Sequence, residues 1–480
     1  MSIEHKTLTA LRWTAGTRLV GQMATWVVTL ALVRILAPSD YGLMAIVSVV
    51  MSITTNLAEL GLGASLVQTR RLEPALLARV AGFVWLLHLG LGAMLVAASH
   101  LGGWAFADAR LTQLFRVAAL QFVFIALGAV PQALASRALN FKWLSRVEFT
   151  TAVTTSIVTL TMAVSGFGVW ALVLGNVVGS AIRAGLLVSR GENVWPDFRV
   201  RGIGSHLDFG AKYSGGNLAW VLVNQADVLV GSRMMSKAAL GVYSVSLHLA
   251  TLPMQKMMSV INQVAFPAVA RLQDDPARLK RRLLQAGGLL TTVSVPVLWG
   301  LAAVAPEFVA IVLGSKWAAA TRTLQLVTLV VPLRMLSGLF NTAVAGVGRA
   351  GTALRNTVIT AVVWPGCFVV GAFWGAEGLA ASWLVAIPAT FLLNFPRTSA
   401  SLGVAFGDVV RTLVRPTLAG LVMVAAIAST RLLVGEWALP WRTASLIAVG
   451  AAAYLVVITL LDRHVWGQLR QLVFHRGGDA

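Results

Sequence analysis

Of the chain's 480 residues, 57% are hydrophobic and only 12% charged, about half the charged fraction of a soluble domain. So few charges cannot cover a water-facing surface, which excludes an ordinary soluble globular protein. The 38 Lys and Arg against 18 Asp and Glu give a net charge of +20, whose placement decides whether it signals nucleic acid or a membrane.

Lipid as solvent leaves only helices or closed barrels, and long apolar runs in place of ten-residue alternating segments select helices. Met1 to Leu11 is polar, and the apolar stretch after it is too long for a signal-peptide core, so the first helix is expected to remain in the mature protein. Runs of about 20 apolar residues predict about fourteen spans. They lie at 13–36, 42–67, 77–99, 112–136, 147–165, 168–189, 209–231, 240–266, 283–304, 320–346, 354–374, 378–395, 412–434 and 443–461. The single cysteine, Cys367, lies in one of them, which rules out an intrachain disulfide and a cysteine metal cluster. No cofactor or metal is expected.

Odd-to-even connections are short, as at Ala37–Tyr41 and Gly375–Glu377, whereas even-to-odd connections are basic. Arg70-Arg71, Arg137 with Lys142 and Arg146, Arg278 with Lys280-Arg281-Arg282, and Arg411 with Arg415 all fall on one side. About 25 cations lie there against about 9 on the other, and the excess of loop cations predicts cytoplasmic termini in a bacterial inner membrane. Anionic lipid headgroups are then the default partner, and nucleic acid is not needed.

A repeat is legible near a period of 200. Arg34 to Gly42 (RILAPSDYG) matches Arg233 to Gly241 (RMMSKAALG), Arg71-Leu72 matches Arg271-Leu272, and Gly168-Val169-Trp170-Ala171 matches Gly378-Leu379-Ala380-Ala381. Six spans per repeat is an even number, so the halves share one orientation. The expected fold is all-α integral membrane, with two pseudo-symmetric six-helix lobes plus a C-terminal helix pair. The lobes are placed at 1–190 and 209–397, joined by a cytoplasmic linker at 191–208, with the extra pair and tail at 398–480.

Polar stripes mark the first two spans of each lobe. Thr14, Arg18, Gln22, Thr25 and Thr29 share one helical face, as do Ser48, Ser52, Thr55 and Glu59. Tyr213, Asn217, Asn224 and Asp227 form a third stripe, and Ser244, His248, Thr251, Gln255, Ser259 and Asn262 a fourth, with Lys256 beside it. Arg183 and Arg334 are further cations inside spans. Buried ionisable groups cost about 2.5–3.5 kcal/mol each on insertion scales, so they mark function by default. Four cations (Arg18, Arg183, Lys256, Arg334) against two acids (Glu59, Asp227) suit a phosphate-bearing ligand in a wet cavity. Plainer roles compete: Arg183 is near enough to an interface to snorkel. Glu59 is placed to pair with Arg18 or Lys256, and Asp227 with Arg233 or Lys237. The hydroxyls can bond their own helices.

No long aqueous segment could house an enzymatic domain, and no phosphate-binding loop or metal-ligand spacing occurs, so no enzyme is expected. Two stretches resemble polysaccharide-transporter flippases of the Wzx type, closest to the colanic-acid-exporter-like branch. They are Arg34 to Gly42 followed by Glu59-Leu60-Gly61-Leu62-Gly63-Ala64-Ser65-Leu66-Val67-Gln68, and Leu240 to Ser244 with Phe266 to Asp274. The resemblance implies membership of the multidrug/oligosaccharidyl-lipid/polysaccharide exporter superfamily, whose two bundles surround a central cavity and work by alternating access. It implies an undecaprenyl-pyrophosphate-linked oligosaccharide as substrate, polysaccharide assembly proteins as partners and a cationic cavity. On that reading Arg18, Gln22, Asn217, Asn224, Lys256 and Arg334 face substrate, and Glu59 and Asp227 are candidates for H+ or Na+ coupling. A drug or cation antiporter on the same fold would favour carboxylates and aromatics, and a membrane-embedded glycan polymerase or ligase would need a large outer loop.

Overall fold

A computed structural model describes residues 25–59, 73–190, 194–199, 204, 218–271 and 275–462, the side chains of 59 and 255–271 excepted. Among the described residues, eleven helices are long and apolar enough to cross a bilayer. The expected spans at 13–36, 209–231 and 240–266 each run into residues outside the description. In chain order the helices are α1 (Thr25–Ile35), α2 (Pro38–Glu59), α3 (Pro74–Ala105), α4 (Arg110–Arg137), α5 (Phe141–Val164) and α6 (Val169–Val188). Then come α7 (218–224), α8 (Ala226–Met234), α9 (Lys237–Arg271), α10 (Pro276–Ala303) and α11 (Ala320–Gly346). The last four are α12 (Ala350–Ala372), α13 (Gly375–Leu402), α14 (Phe406–Leu433) and α15 (Leu439–Leu461).

Local chemistry sets the helix ends. Proline occupies the first turn of α3 and α10, where its missing N–H costs nothing. The Asn140 side chain accepts from Trp143 N to start α5, and the Asp275 side chain accepts from Arg278 N to start α10. The hairpin between α5 and α6 turns through Gly166 and Gly168 at positive φ, and α13 ends on left-handed Gly403. Several helices outrun their apolar segments. α10 begins at Pro276 and not at 283, which places Arg278 and Lys280-Arg281-Arg282 inside its first two turns. Lys and Arg are good helix formers whose stems lie along apolar surface while their heads reach water, so a basic run continues a helix and does not end it.

The chain divides into two compact units, Met1–Gly241 and Val242–Ala480, with the boundary inside α9. Within the first, α3 packs on α4, α4 on α6 and α6 on α5. Within the second, α10 packs on α11, α11 on α13 and α13 on α12, the same neighbour order. Small residues let these helices approach, as a membrane interior requires. Gly175 and Gly179 of α6 lie one turn apart, where a Cβ would fall 2.0 Å from Thr159 Oγ1 and 2.4 Å from Thr155 Oγ1. In the second unit a Cβ on Gly371 of α12 would sit 2.4 Å from the Gly378 carbonyl oxygen of α13.

The sequence repeat reappears as a contact inside the first unit. A Cβ on Gly42 of α2 would lie 1.8 Å from Lys237 O, and one on Gly241 of α9 would lie 1.7 Å from Pro38 O. The two glycines stand at equivalent places in the RILAPSDYG and RMMSKAALG segments, as do Pro38 and Lys237. Each repeat's glycine therefore seats the other repeat's first helical residue, and backbone meets backbone.

The terminal pair α14–α15 is fastened to α10 by a buried core (Val295, Met423, Ile427, Tyr454) and by an ion cluster. Glu307, 2% exposed on the connector after α10, receives Arg431 at 2.8 Å and Arg442 at 3.1 Å. The Arg431 guanidinium also donates to Ala303 O. Elsewhere α12 presents Val358, Val362, Val369 and Val370 as an exposed apolar surface suited to lipid.

Candidate functional site

Two constellations among the described residues carry intramembrane polarity. The first is a break in the seventh expected span. Helix α7 stops at Asn224, Gln225 takes φ −109° and ψ 2°, and α8 restarts at Ala226. The i→i−4 bonds run through this irregular residue, Gln225 N donating to Val221 O and Leu229 N to Gln225 O at 3.0 Å each, so its backbone groups stay paired while the helix bends. Asn224 and Asp227 flank this break. Asn224 Nδ2 donates to Trp220 O at 2.8 Å, closing the last turn of α7. Asp227, 1% exposed, sits in the first turn of α8, where the helix dipole favours a negative charge. Its Oδ1 accepts from Val228 N at 2.8 Å.

The two cations considered as partners for Asp227 also have other neighbours. The Arg233 guanidinium lies 5.7 Å from the Phe106 ring centre, and Lys237 Nζ donates to Phe106 O at 2.8 Å. Beside that junction Asp108 accepts from Arg110 Nη2 at 2.8 Å, and this bond holds its carboxyl below the usual carboxylate range.

The second constellation surrounds Arg334 at the middle of α11. Its guanidinium lies 4.6 Å from the Trp383 ring centre of α13 and 5.4 Å from that of Trp364 on α12. The rings are themselves fixed. Trp364 meets Trp383 edge-on at 4.8 Å, and Phe368 tilts against Trp383 at 4.7 Å. Trp383 Nε1 donates to Tyr243 Oη at 2.8 Å and Trp364 Nε1 to Thr390 Oγ1 at 3.2 Å, so both indole N–H groups are satisfied. A half-buried cation over aromatic faces gains about 1 kcal/mol, which offsets part of the cost of a guanidinium in mid-span. Held against two rings that are themselves fixed, the guanidinium keeps one place in mid-span, and its planar fork is of the type that contacts phosphate bidentately.

Arg183 donates to Gln132 Oε1 at 3.3 Å on the first unit. Thr29, Thr54 and Thr251 donate to carbonyls one turn back in their own helices, the local role open to such hydroxyls. Arg18, Gln22 and Asn217 lie outside the described residues, as do the side chains of Glu59 and Lys256. The structure thus brings Asn224 and Asp227 together at one break and sets Arg334 in an aromatic box of the second unit. Sequence reading did not find Trp364, Trp383, Phe368 and Tyr243 as partners of Arg334. Each is an ordinary apolar-span residue, and nothing in the linear pattern relates three helices and a tyrosine on a fourth.

Known proteins resemble this chain in sequence and in fold. The family described as "Polysaccharide biosynthesis protein" matches residues 31–322, more than half of the chain. "Lipopolysaccharide biosynthesis protein WzxC" of Escherichia coli (strain K12) is 27% identical over 476 residues, covering 97% of this chain and 95% of that one. "Succinoglycan biosynthesis transport protein ExoT" of Rhizobium meliloti (strain 1021) is 26% identical, covering 76% of this chain and 74% of its own. Among solved structures, "Lipid II flippase MurJ, inward closed conformation" aligns with a TM-score of 0.73 at 14% identity, over 93% of this chain and 100% of that one. An inward-facing "multidrug resistance MATE family transporter of the MOP superfamily" aligns at 0.61 and 16% identity, over 78% and 95%. These two share the fold. The eleven apolar helices and the fold make the chain a multi-pass all-α membrane protein. The expected likeness to Wzx-type polysaccharide transporters of that superfamily holds, and the chain belongs to the polysaccharide biosynthesis protein family.

Proposed function

We propose that this chain flips undecaprenyl-pyrophosphate-linked oligosaccharide repeat units from the cytoplasmic to the periplasmic leaflet during surface polysaccharide synthesis, as a transporter and not an enzyme. Six-helix lobes at 1–190 and 209–397, with the helix pair after 398 completing about fourteen spans, alternate access to a cationic cavity, and both termini are cytoplasmic. The pyrophosphate meets Arg18, Lys256 and Arg334, while Gln22, Asn217 and Asn224 hydrate the sugars. The hydrocarbon tail stays in lipid. An inside-negative potential assists outward anion movement by about 2.3 kcal/mol per charge per 100 mV, and Glu59 or Asp227 supplies H+ or Na+ coupling where more is needed.

The observation that carries this reading is Arg334, a guanidinium over two tryptophan rings in mid-span, suited to phosphate and costly to keep there without a use. The family, and relatives named for lipopolysaccharide biosynthesis and succinoglycan transport, support the substrate class. The test is translocation of a labelled lipid-linked oligosaccharide in proteoliposomes. Arg334→Ala is expected to slow it about tenfold or more, the size of one lost charge-assisted contact, with Arg334→Lys intermediate because charge survives but the planar fork does not. Full rates in well-inserted Arg18→Ala, Lys256→Ala and Arg334→Ala together would remove the proposed ligand site.

A further inference from the structure

Beyond the membrane interior, the second unit has a cavity of about 540 Å³ at the basic end of α10, α14 and α15. Four cations line it, Lys280 and Arg281 from α10 and Arg411 and Arg415 from α14, against the single carboxylate of Asp462 at the end of α15. α10 and α14 both begin here, so two helix N-termini add positive potential to the four side chains. Two of the cations are engaged: Lys280 Nζ lies 2.6 Å from Asp408 Oδ2, and Arg415 Nη1 lies 3.1 Å from Asp462 Oδ2. Arg281 and Arg411 make no salt bridge with any described residue.

The walls distinguish this cavity from an ion-binding surface. Leu284, Pro416 and Ile458 line it beside the cations, and the same two helices α14 and α15 carry exposed apolar residues at Leu418, Leu421, Leu455 and Val456. Gly288 sits where a Cβ would touch Thr412 Cγ2 at 3.0 Å, so α10 and α14 are close-set beneath the charges. Cations and apolar side chains lining one cavity, on helices that also expose apolar surface, match one kind of molecule, an amphiphile with an anionic head and a hydrocarbon tail.

The geometry points to a binding site for the phosphate head of a membrane lipid, held by Arg281 and Arg411 with its hydrocarbon chain laid along α14 and α15. Arginine supplies bidentate phosphate contacts, and two guanidinium groups outside the salt bridges of the described residues suit a monoester, diester or pyrophosphate equally. The site lies within the second unit and does not depend on the flipping reading, because lipid retention and translocation are separate measurements.

The test uses the full chain purified in detergent and titrated, by native mass spectrometry, with phosphatidylglycerol, phosphatidylcholine, undecaprenyl diphosphate or inorganic pyrophosphate. The expected result is retention of phosphatidylglycerol or undecaprenyl diphosphate over phosphatidylcholine. The double variant Arg281→Gln/Arg411→Gln should weaken it by about tenfold or more, and the Arg→Lys pair should restore part of it. Preference for the polyprenyl form assigns the site to a substrate-like lipid, and equal retention assigns it to bulk anionic lipid. The matched control Arg146→Gln/Arg355→Gln removes the same charge from exposed positions elsewhere and should leave binding unchanged. Equal retention of phosphatidylcholine, equal loss in the control, or tighter binding of inorganic pyrophosphate than of either anionic lipid would overturn the proposal.

Discussion

Replacing Gly42 or Gly241 with alanine is expected to cost about 3 kcal/mol or more and to abolish glycan export at growth temperature. A single methyl at either position would stand less than 2 Å from a carbonyl oxygen of the opposing segment. That oxygen belongs to helical backbone, so no rotamer change can relieve the clash, and α2 and α9 must part. Parting them exposes the first turns of both helices and loosens α8, which packs on α2. Thermal unfolding in detergent, with surface polymer yield in complemented cells, measures the effect. Alanine at Gly90 or Gly351, where nothing lies within 4 Å, is the control and should raise or hold stability in its helix. A Gly42→Ala protein that melts with the parent would show that the crossing yields easily and does not hold the unit.

Glu307→Ala should be the second large effect, a loss of about 3 kcal/mol in unfolding free energy. The carboxylate is nearly fully buried and receives two guanidinium groups that are themselves only 28% and 25% exposed. Removing it leaves two cations facing each other with carbonyl acceptors as their remaining contacts, at Ala303 O and Gly435 O. Glu307→Gln keeps the shape and two acceptor lone pairs but not the charge, and should fall between. Replacing all three charged residues with leucine should recover most of the loss, because a buried ion cluster repays its desolvation only in part. The measurement is the melting temperature of each variant, with protease accessibility of the α14–α15 pair. Unchanged melting in Glu307→Ala would mean that the apolar core of Val295, Met423 and Tyr454 alone fastens the pair.

Arg334 shows how much of the candidate site was legible. A guanidinium in the middle of the 320–346 apolar run is visible in sequence, and its cost in lipid marks it at once. Its surroundings are not visible. Trp364, Trp383 and Tyr243 come from three other helices, and apolar spans contain many aromatics that merely face lipid. Asp227 gives the converse case. Its stripe with Asn224 was read as a continuous helical face, whereas the helix breaks between them at Gln225, an ordinary residue with no proline or glycine to announce it. Arg431 lies near the end of the 412–434 apolar run and Arg442 precedes the 443–461 run, and neither stretch points to a partner. Their convergence on a carboxylate more than a hundred positions away has no local signature.

By itself the sequence determined the solvent, the helical class, eleven of the spans and the repeat, because each follows from properties that add along the chain. Those are apolar length against bilayer thickness and recurrence of a short segment after 199 positions. Only the tertiary structure decided which backbones touch, where a helix breaks, and which buried charges share a partner. Those outcomes rest on close approach in three dimensions, where one methyl group or one carboxylate settles the packing and chain separation carries no information.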